Sequence, residues 1–460
     1  MTEMTALVFN AFLMNSPGHL SPGLWRHPRD ISAGFNRLGH WVDLARLLED
    51  GLFDAMFIAD AYGHYDTYGG TPDQALRLGV QVPRNDPALL VSAMAHATRH
   101  LGFGITMSTT YEPPFALARR FSTLDHLTEG RIGWNIVTSA QDSAARNFGR
   151  TAQAGHAERY AMAEEYLEVC YRLWEDSWQE GAVLADRQRG IYADPAKVHA
   201  IHHRGKYFQV EGPHLSEPSP QRTPFLFQAG ASSFGQAFSA RHAEAVFVGA
   251  PSKQVLARSV RNLREAFARA GRDPAEVRII AEHTVITAPT SAEAHEKHAE
   301  YQRYSSEIGG LVLMSGWTGV DFARFAADEV FEHVESNAIR TAVEAMSSAD
   351  PDRRWSAGEI ARWCGIGGLS PVSVGDPVEV ADSLAAWARD TGIDGFNLSY
   401  AVLDEGFRDF ITLVVPELQS RGLYKTSYAQ GTLREKLRGP GARSRWASGA
   451  ISRADVSADA

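Results

Sequence analysis

Amides, hydroxyls and a carboxylate recur where short apolar runs of this sequence end. Asn10, Asp60, Ser108, Thr109, Asn135 and Thr138 each sit at or near the C-terminal end of such a run, and Gly230 closes another. In an α/β barrel or an open α/β sheet those ends face the ligand site, which makes the residues candidate contacts. The run in GRIGWNIVTS is the clearest: a buried strand has no structural need for Asn135 or for the polar tip Thr138–Ser139. An amide satisfying neighbouring backbone and a threonine opening a loop would read the same way. In GASS at 230–233, Gly230 allows close backbone approach and two serines stand at a helix N-terminus, where free N–H groups and the helix dipole favour a phosphate. Ser233 with Gln236 equally fits a capping box, which needs no ligand. His199, His202 and His203 invite zinc, but no HExxH accompanies them, and no metal site is expected. Neither a GxSxG elbow nor a Walker A loop occurs. What remains is suited to a flat heteroaromatic cofactor with a phosphate tail.

The elements that must position these groups alternate along the chain. Strands are predicted at 6–12, 54–60, 102–109, 131–139, 223–230, 244–250, 277–287 and 394–400. Helices are predicted at 40–52, 87–100, 114–129, 159–177, 232–243, 252–271, 291–305 and 377–391. Eight strands alternating with helices predict an α/β fold, a (β/α)8 TIM barrel, and the excess over ~250 residues is assigned to two insertions and a C-terminal extension. The barrel is read as one domain over 1–422, with insertions at about 178–222 and 306–375 and a C-terminal arm at 423–460 whose end is expected to be disordered. An open doubly wound sheet would place GxGxxG after its first strand, and none occurs.

Composition narrows the class. The chain has 460 residues, 44% of them hydrophobic, enough for a full core, and a formal charge of −10. That charge argues against nucleic acid or an anionic membrane as the main partner. Only two cysteines occur, Cys170 and Cys364, with no CxxC and no apolar leader, so a cytoplasmic location is expected. No apolar run approaches the ~18 residues of a membrane span. The basic tail, with Arg434, Lys436 and Arg438, reads as a solvated or subunit-packing arm.

Longer segments carry a resemblance. NAFLMNSPGHLSPGLWRHPRD, GLFDAMFIAD, TYEPPFALARRFSTLDHLTEGRIGWNIVTSAQDSAARNFG, AERYAMAEEYLEVCYRLWEDSW and DGFNLSY, in that order, resemble the bacterial-luciferase superfamily. The branch they are similar to is that of the two-component monooxygenases acting on nitrilotriacetate, dibenzothiophene sulfone, dimethyl sulfide and long-chain alkanes. The resemblance implies a barrel that binds reduced FMN (FMNH2) delivered by an NAD(P)H-dependent flavin reductase, with a homodimer or homotetramer usual and no metal. Dioxygen then adds to the flavin at C4a, and the hydroperoxide inserts one oxygen atom into a small apolar or organosulfur substrate.

Position by position, the resemblance assigns Asp60, Thr109, Asn135 and Thr138 to the flavin ring, and His156 and Tyr160 to the ribityl and phosphate. Gly230, Ala231, Ser232 and Ser233 match the phosphate loop. Ser16, His19, Tyr65 and Gln81 fall where relatives build the substrate pocket, with His19 as proton donor or hydrogen-bond partner to the peroxide. Some alkane-oxidising relatives have Cys at the position of Ser16 and His at that of Ala140, which weakens transfer of the alkane activity. Leu311–Met314 with Trp317 reads as an apolar lid or as a packing patch. Two other reactions suit the same barrel: deazaflavin-dependent hydride transfer and oxidative cleavage of a heteroaromatic. A non-catalytic flavin-binding protein is the third alternative.

Overall fold

The structure is a computed structural model that describes residues 6–230, 232–330 and 354–447. Eight parallel strands close on themselves: β1 Val8–Met14, β2 Ala55–Ala59, β3 Gly102–Ser108, β4 Ile132–Val137, β5 Phe225–Ala229, β6 Ala245–Val248, β7 Arg278–Thr287 and β8 Gly395–Ser399. Each pairs with its neighbours in chain order, and β8 returns to β1, so the barrel has no free edge. All eight predicted strands form; the first begins at Val8 rather than residue 6. The ten-residue β7 is long enough to carry an extra strand, Val372–Gly375, on its last turn toward the mouth.

Helices cover the barrel because each buries one apolar stripe. In α1, Leu38–Asp50, the buried residues Trp41, Leu44, Ala45 and Leu48 share one face at helical spacing. The outer ring continues with α2 Ala88–Ala97, α3 Pro114–Leu127, α4 His156–Tyr171, α5 Ser233–His242 and α6 Lys253–Arg269. The predicted helix 159–177 ends as α helix at Tyr171 and continues as a π turn, Arg172–Asp176. The second insertion opens not irregularly but with a helix, α7 Glu307–Thr318. Further on, α8 Pro377–Thr391 is capped at Asp376, whose carboxylate accepts from the Val378 and Glu379 N–H groups.

The first insertion is two small antiparallel hairpins, and its histidines go to separate partners. His199 meets Gln179 at 2.9 Å, His202 meets Glu211 at 2.6 Å and His203 meets Glu165 at 3.2 Å.

Inside the barrel the lower half is packed with rings: Phe57, Phe227 and Phe247 meet with centroids 4.2 to 5.8 Å apart. Gly104 makes this possible, since a β-carbon there would lie 2.8 Å from Phe57. The N-terminal end is stoppered by the tail. Helix α9, Leu433–Arg438, inserts Leu433 and Leu437 into the interior cluster with Val8, Phe225 and Ile280. Its Arg434, 2% exposed, donates to both Glu244 oxygens at 2.7 and 2.9 Å and to the Thr223 and Pro224 carbonyls. Burial would raise the Glu244 pKa, but the Arg434 and Arg438 charges outweigh it and hold the carboxyl low. The arm is therefore a plug rather than a solvated appendage, and residues 448–460 lie outside the described residues.

Candidate active site

With the lower end sealed, the C-terminal mouth holds a cavity of about 400 Å³. One end of it is built for an anion. β5 stops at Ala229, and Ser232 caps α5 by accepting from the Gly235 N–H at 3.1 Å. The cap is thus Ser232 and not the expected Ser233; Ala231 and the Ser233 side chain lie outside the described residues. His156, the first residue of α4, brings Nε2 to 3.5 Å from Ser232 Oγ. Two helix N-termini therefore converge beside Gly230, with Tyr160 and Arg159 on the α4 wall of the same cavity. Burial raises the Tyr160 pKa, so its hydroxyl stays a donor. Arg159, only 3% exposed and donating to the Ala154 carbonyl at 2.8 Å, was not singled out from sequence. Its one available signal is a cation on the first turn of the helix that His156 opens.

The centre of the cavity is lined by Asp60 just past β2, Ser108 at the end of β3, Thr106 two residues inside β3, and Thr138 just past β4. Asp60 Oδ1 accepts from the Ala61 N–H at 2.8 Å and lies 3.3 Å from Arg84 Nε. Burial raises its pKa and Arg84 opposes the rise, leaving it at about 7. Three predicted contacts stand one layer back and do not line the cavity. Asn135 stands beside Thr106 across the β3–β4 ladder and donates to Thr106 Oγ1 at 2.9 Å. Thr109 turns toward the end of the neighbouring strand β4, with N–H and hydroxyl aimed at the Val137 carbonyl. Ser16 closes a tight turn by donating to the Gly18 carbonyl at 2.7 Å.

Opposite the anion end, His19, Tyr65 and Gln81 all face the cavity as expected. A chain of hydrogen bonds joins them: Trp317 Nε1 donates to Tyr65 Oη (2.9 Å), Tyr65 to Gln81 Oε1 (2.9 Å), and Gln81 Nε2 to the His19 carbonyl (3.0 Å). Gln81 holds φ +52°, a left-handed conformation that a non-glycine residue adopts at a cost. The His19 ring stands edge-on to Phe12 at 4.5 Å, and burial pushes its pKa down to about 3, so the imidazole is neutral. The apolar run of α7 divides: Val312, Leu313 and Met314 are core, while Gly316 and Trp317 reach the cavity. The predicted lid is thus mainly a packing patch with one indole at the cavity.

Sequence reasoning also missed Glu282, which β7 presents to the same space and whose pKa burial raises to about 7. The cavity therefore combines an anion cradle, a hydroxyl-lined centre, apolar walls from Phe12, Leu20, Phe247 and Trp317, and two carboxyls poised near neutrality. Such a site can hold a flat phosphorylated ring and exclude water from it.

Comparison with known proteins agrees with this geometry. Residues 16–395 match the family described as luciferase-like monooxygenase. The chain is 46% identical over 433 residues to a dimethyl-sulfide monooxygenase of Hyphomicrobium sulfonivorans, covering 94% of this chain and 90% of that one. It is 48% identical over 432 residues to a long-chain alkane monooxygenase of Geobacillus thermodenitrificans, covering 94% of each. The solved structure of a riboflavin lyase with modified FMN and riboflavin is similar at a TM-score of 0.90, with 35% identity, covering 97% of this chain and 99% of that one.

Proposed function

The chain belongs to the luciferase-like monooxygenase family and is a flavin-dependent monooxygenase, and from that premise we propose that it uses reduced FMN supplied by a separate NAD(P)H-dependent flavin reductase. One oxygen atom of dioxygen goes into a small apolar or organosulfur compound. The observation that carries this reading is the convergence of the α4 and α5 N-termini with Arg159, Tyr160 and His156 at one end of an otherwise largely apolar cavity. A terminal phosphate is an anion that such helix ends and donors favour, and the remaining length of the cavity suits a ring system. The relatives' names support a thioether or an alkane as substrate class, and the cavity's Phe, Leu, Met and Trp side chains are compatible with either.

Reduced FMN supplies the two electrons that divide dioxygen between substrate and water. The chain's own residues do the rest. Ser232, His156, Tyr160 and Arg159 bind the phosphate, and Thr106, Thr138 and Asp60 orient the ring. Asn135 acts through Thr106, whose hydroxyl it holds. Neutral His19 offers an N–H or a lone pair, not a positive charge, to the oxygen being transferred. The Trp317–Tyr65–Gln81 chain fixes the backbone that carries His19 and keeps water out.

The test is oxygen uptake. Substrate and oxygen are consumed together only when a reductase and NAD(P)H supply reduced FMN; consumption that is indifferent to the reductase would contradict the reading. A second reading, oxidative cleavage of a heteroaromatic, is favoured by the likeness to the riboflavin lyase. Loss of riboflavin under the same conditions would select it.

A further inference from the structure

β7 carries a carboxyl that the substrate-side and phosphate-side residues do not use. Glu282 faces the cavity, and the glycine just past the end of β6 makes room for it: a β-carbon at Gly249 would lie 3.1 Å from Glu282 Oε2. The strand register sets Asn397 of β8 beside Glu282, and Asn10 of β1 beside Asn397. Alternation with the interior residues Val8, Phe12 and Ile280 turns this row toward the barrel axis. One carboxyl and two carboxamides thus run side by side across three strands, at the level where the aromatic packing gives way to the cavity.

The two amides are unusual. The amide oxygen and nitrogen of both Asn10 and Asn397 are buried and have no hydrogen-bond partner among the described residues. Buried polar groups are nearly always paired, so a row of unpaired amides beside a carboxyl points to a group whose hydrogen bonding changes during function. From β6 the carboxyl faces Gly249 and from β8 Asn397, neither of which titrates. Across the cavity stand Asp60, Tyr62, His19 and Tyr65 on one side and His156, Arg159 and Tyr160 on the other. Burial alone displaces Glu282, and it sets the group near neutrality.

Other candidate acids are engaged or silent. His19 is neutral down to about pH 3, Asp60 is held by Arg84 and the Ala61 N–H, and burial pushes Tyr65 up to about 12. Position 140 on the cavity wall is an alanine, which offers no proton. Yet oxygen transfer needs a proton. The reduced flavin anion, dioxygen, substrate and one proton give oxidised flavin, oxygenated substrate and water.

We propose that Glu282 is the acid of this cavity, delivering that proton to the oxygen atom that leaves as water and regaining it from solvent after turnover. Asn397 and Asn10 are positioning residues: the Asn397 amide turns its N–H to the carboxylate left behind, and Asn10 in turn holds Asn397. The role rests on the reduced-flavin reading above.

Infrared spectroscopy of the flavin-free protein tests it without turnover. A neutral carboxylic acid C=O band that disappears between about pH 6 and about pH 8 is expected in the wild type. Asp60→Asn removes the second carboxyl that burial sets near 7 and should retain a titrating band; adding Glu282→Gln to that variant should abolish it, and adding Asn397→Leu should shift it to higher pH. In turnover, Glu282→Gln should bind reduced FMN within about twofold of wild type yet lose about 10²- to 10⁴-fold in kcat, with the decline of kcat through neutral pH gone. Glu282→Asp, which keeps a carboxyl, should recover part of the loss and guards against a folding defect in the amide variant. Wild-type kcat and pH profile in Glu282→Gln, or a titrating band that survives in the double variant Asp60→Asn/Glu282→Gln, would overturn the proposal alone. A wild-type protein that binds no reduced FMN would overturn the functional reading and the acid role with it.

Discussion

The indole N–H of Trp317 donates to the Tyr65 hydroxyl at 2.9 Å and so ties the first helix of the second insertion to the segment that follows β2. Through Gln81 the tie reaches the carbonyl of His19. Closure of the cavity on the substrate side therefore depends on a contact between residues 252 positions apart. Trp317→Phe keeps the ring and removes the donor. The loss of one buried hydrogen bond, about 1 kcal/mol, should raise hydrogen peroxide release per oxygen consumed by about fivefold, with reduced-FMN affinity unchanged. Oxygen and peroxide electrodes run together measure it.

His19 should behave as a neutral group. Burial lowers its pKa to about 3 from 6.5, so below about pH 6.5 the unfolded chain binds a proton that the native chain refuses. Stability conferred by the neutral ring is present above pH 6.5 and is lost as pH falls toward 3. In His19→Gln the variant should gain on the wild type by about 1.4 kcal/mol per pH unit on acidification below about pH 6, measured by urea unfolding. His19→Ala should leave FMN binding intact and raise peroxide release.

The Arg434–Glu244 pair is a buried one, with Arg438 Nη1 a second cation 3.1 Å from Glu244 Oε1. Arg434→Met should cost about 2–3 kcal/mol, because Glu244 loses two charge-assisted hydrogen bonds in the barrel floor and keeps only Arg438. Adding Glu244→Gln should recover much of that loss. Denaturant midpoints of the two variants give the comparison.

Glu282 predicts the opposite sign from His19. Its pKa rises from 4.5 to about 7 on folding, so the native chain holds a proton that the unfolded chain releases. Stability is highest below about pH 4.5 and falls as pH rises through 7. Glu282→Gln should therefore be more stable than wild type above pH 7, by at most about 3 kcal/mol, and should lose that advantage in acid. Thermal unfolding at three pH values checks it.

Much of this architecture was legible in the sequence because parallel strands buried on both faces read as continuous apolar runs. Helix α7 was not, since Gly309 and Gly310 look like breakers. They are contact points instead: a β-carbon at Gly310 would lie 2.6 Å from the Ala361 carbonyl of the neighbouring helix. Nor was the plug, because a six-residue basic segment looks solvated until Glu244 is seen beneath it. At the site, position along a strand was readable but reach was not. Thr138 extends into the cavity, whereas Thr109, one residue past the end of β3, folds back on a carbonyl. Thr106 and Glu282 were overlooked because they lie inside their strands; their alternation with Gly104 and Ile280 was the available signal.

The anion cradle is the feature on which the functional account stands, and anaerobic calorimetry with reduced FMN and reduced riboflavin addresses it directly. One FMN per chain should bind, and Arg159→Ala should weaken FMN at least tenfold, the loss of a charge-assisted phosphate contact, while leaving riboflavin affinity unchanged. Equal FMN affinity in the variant and the wild type, or equal weakening of both ligands, would contradict it.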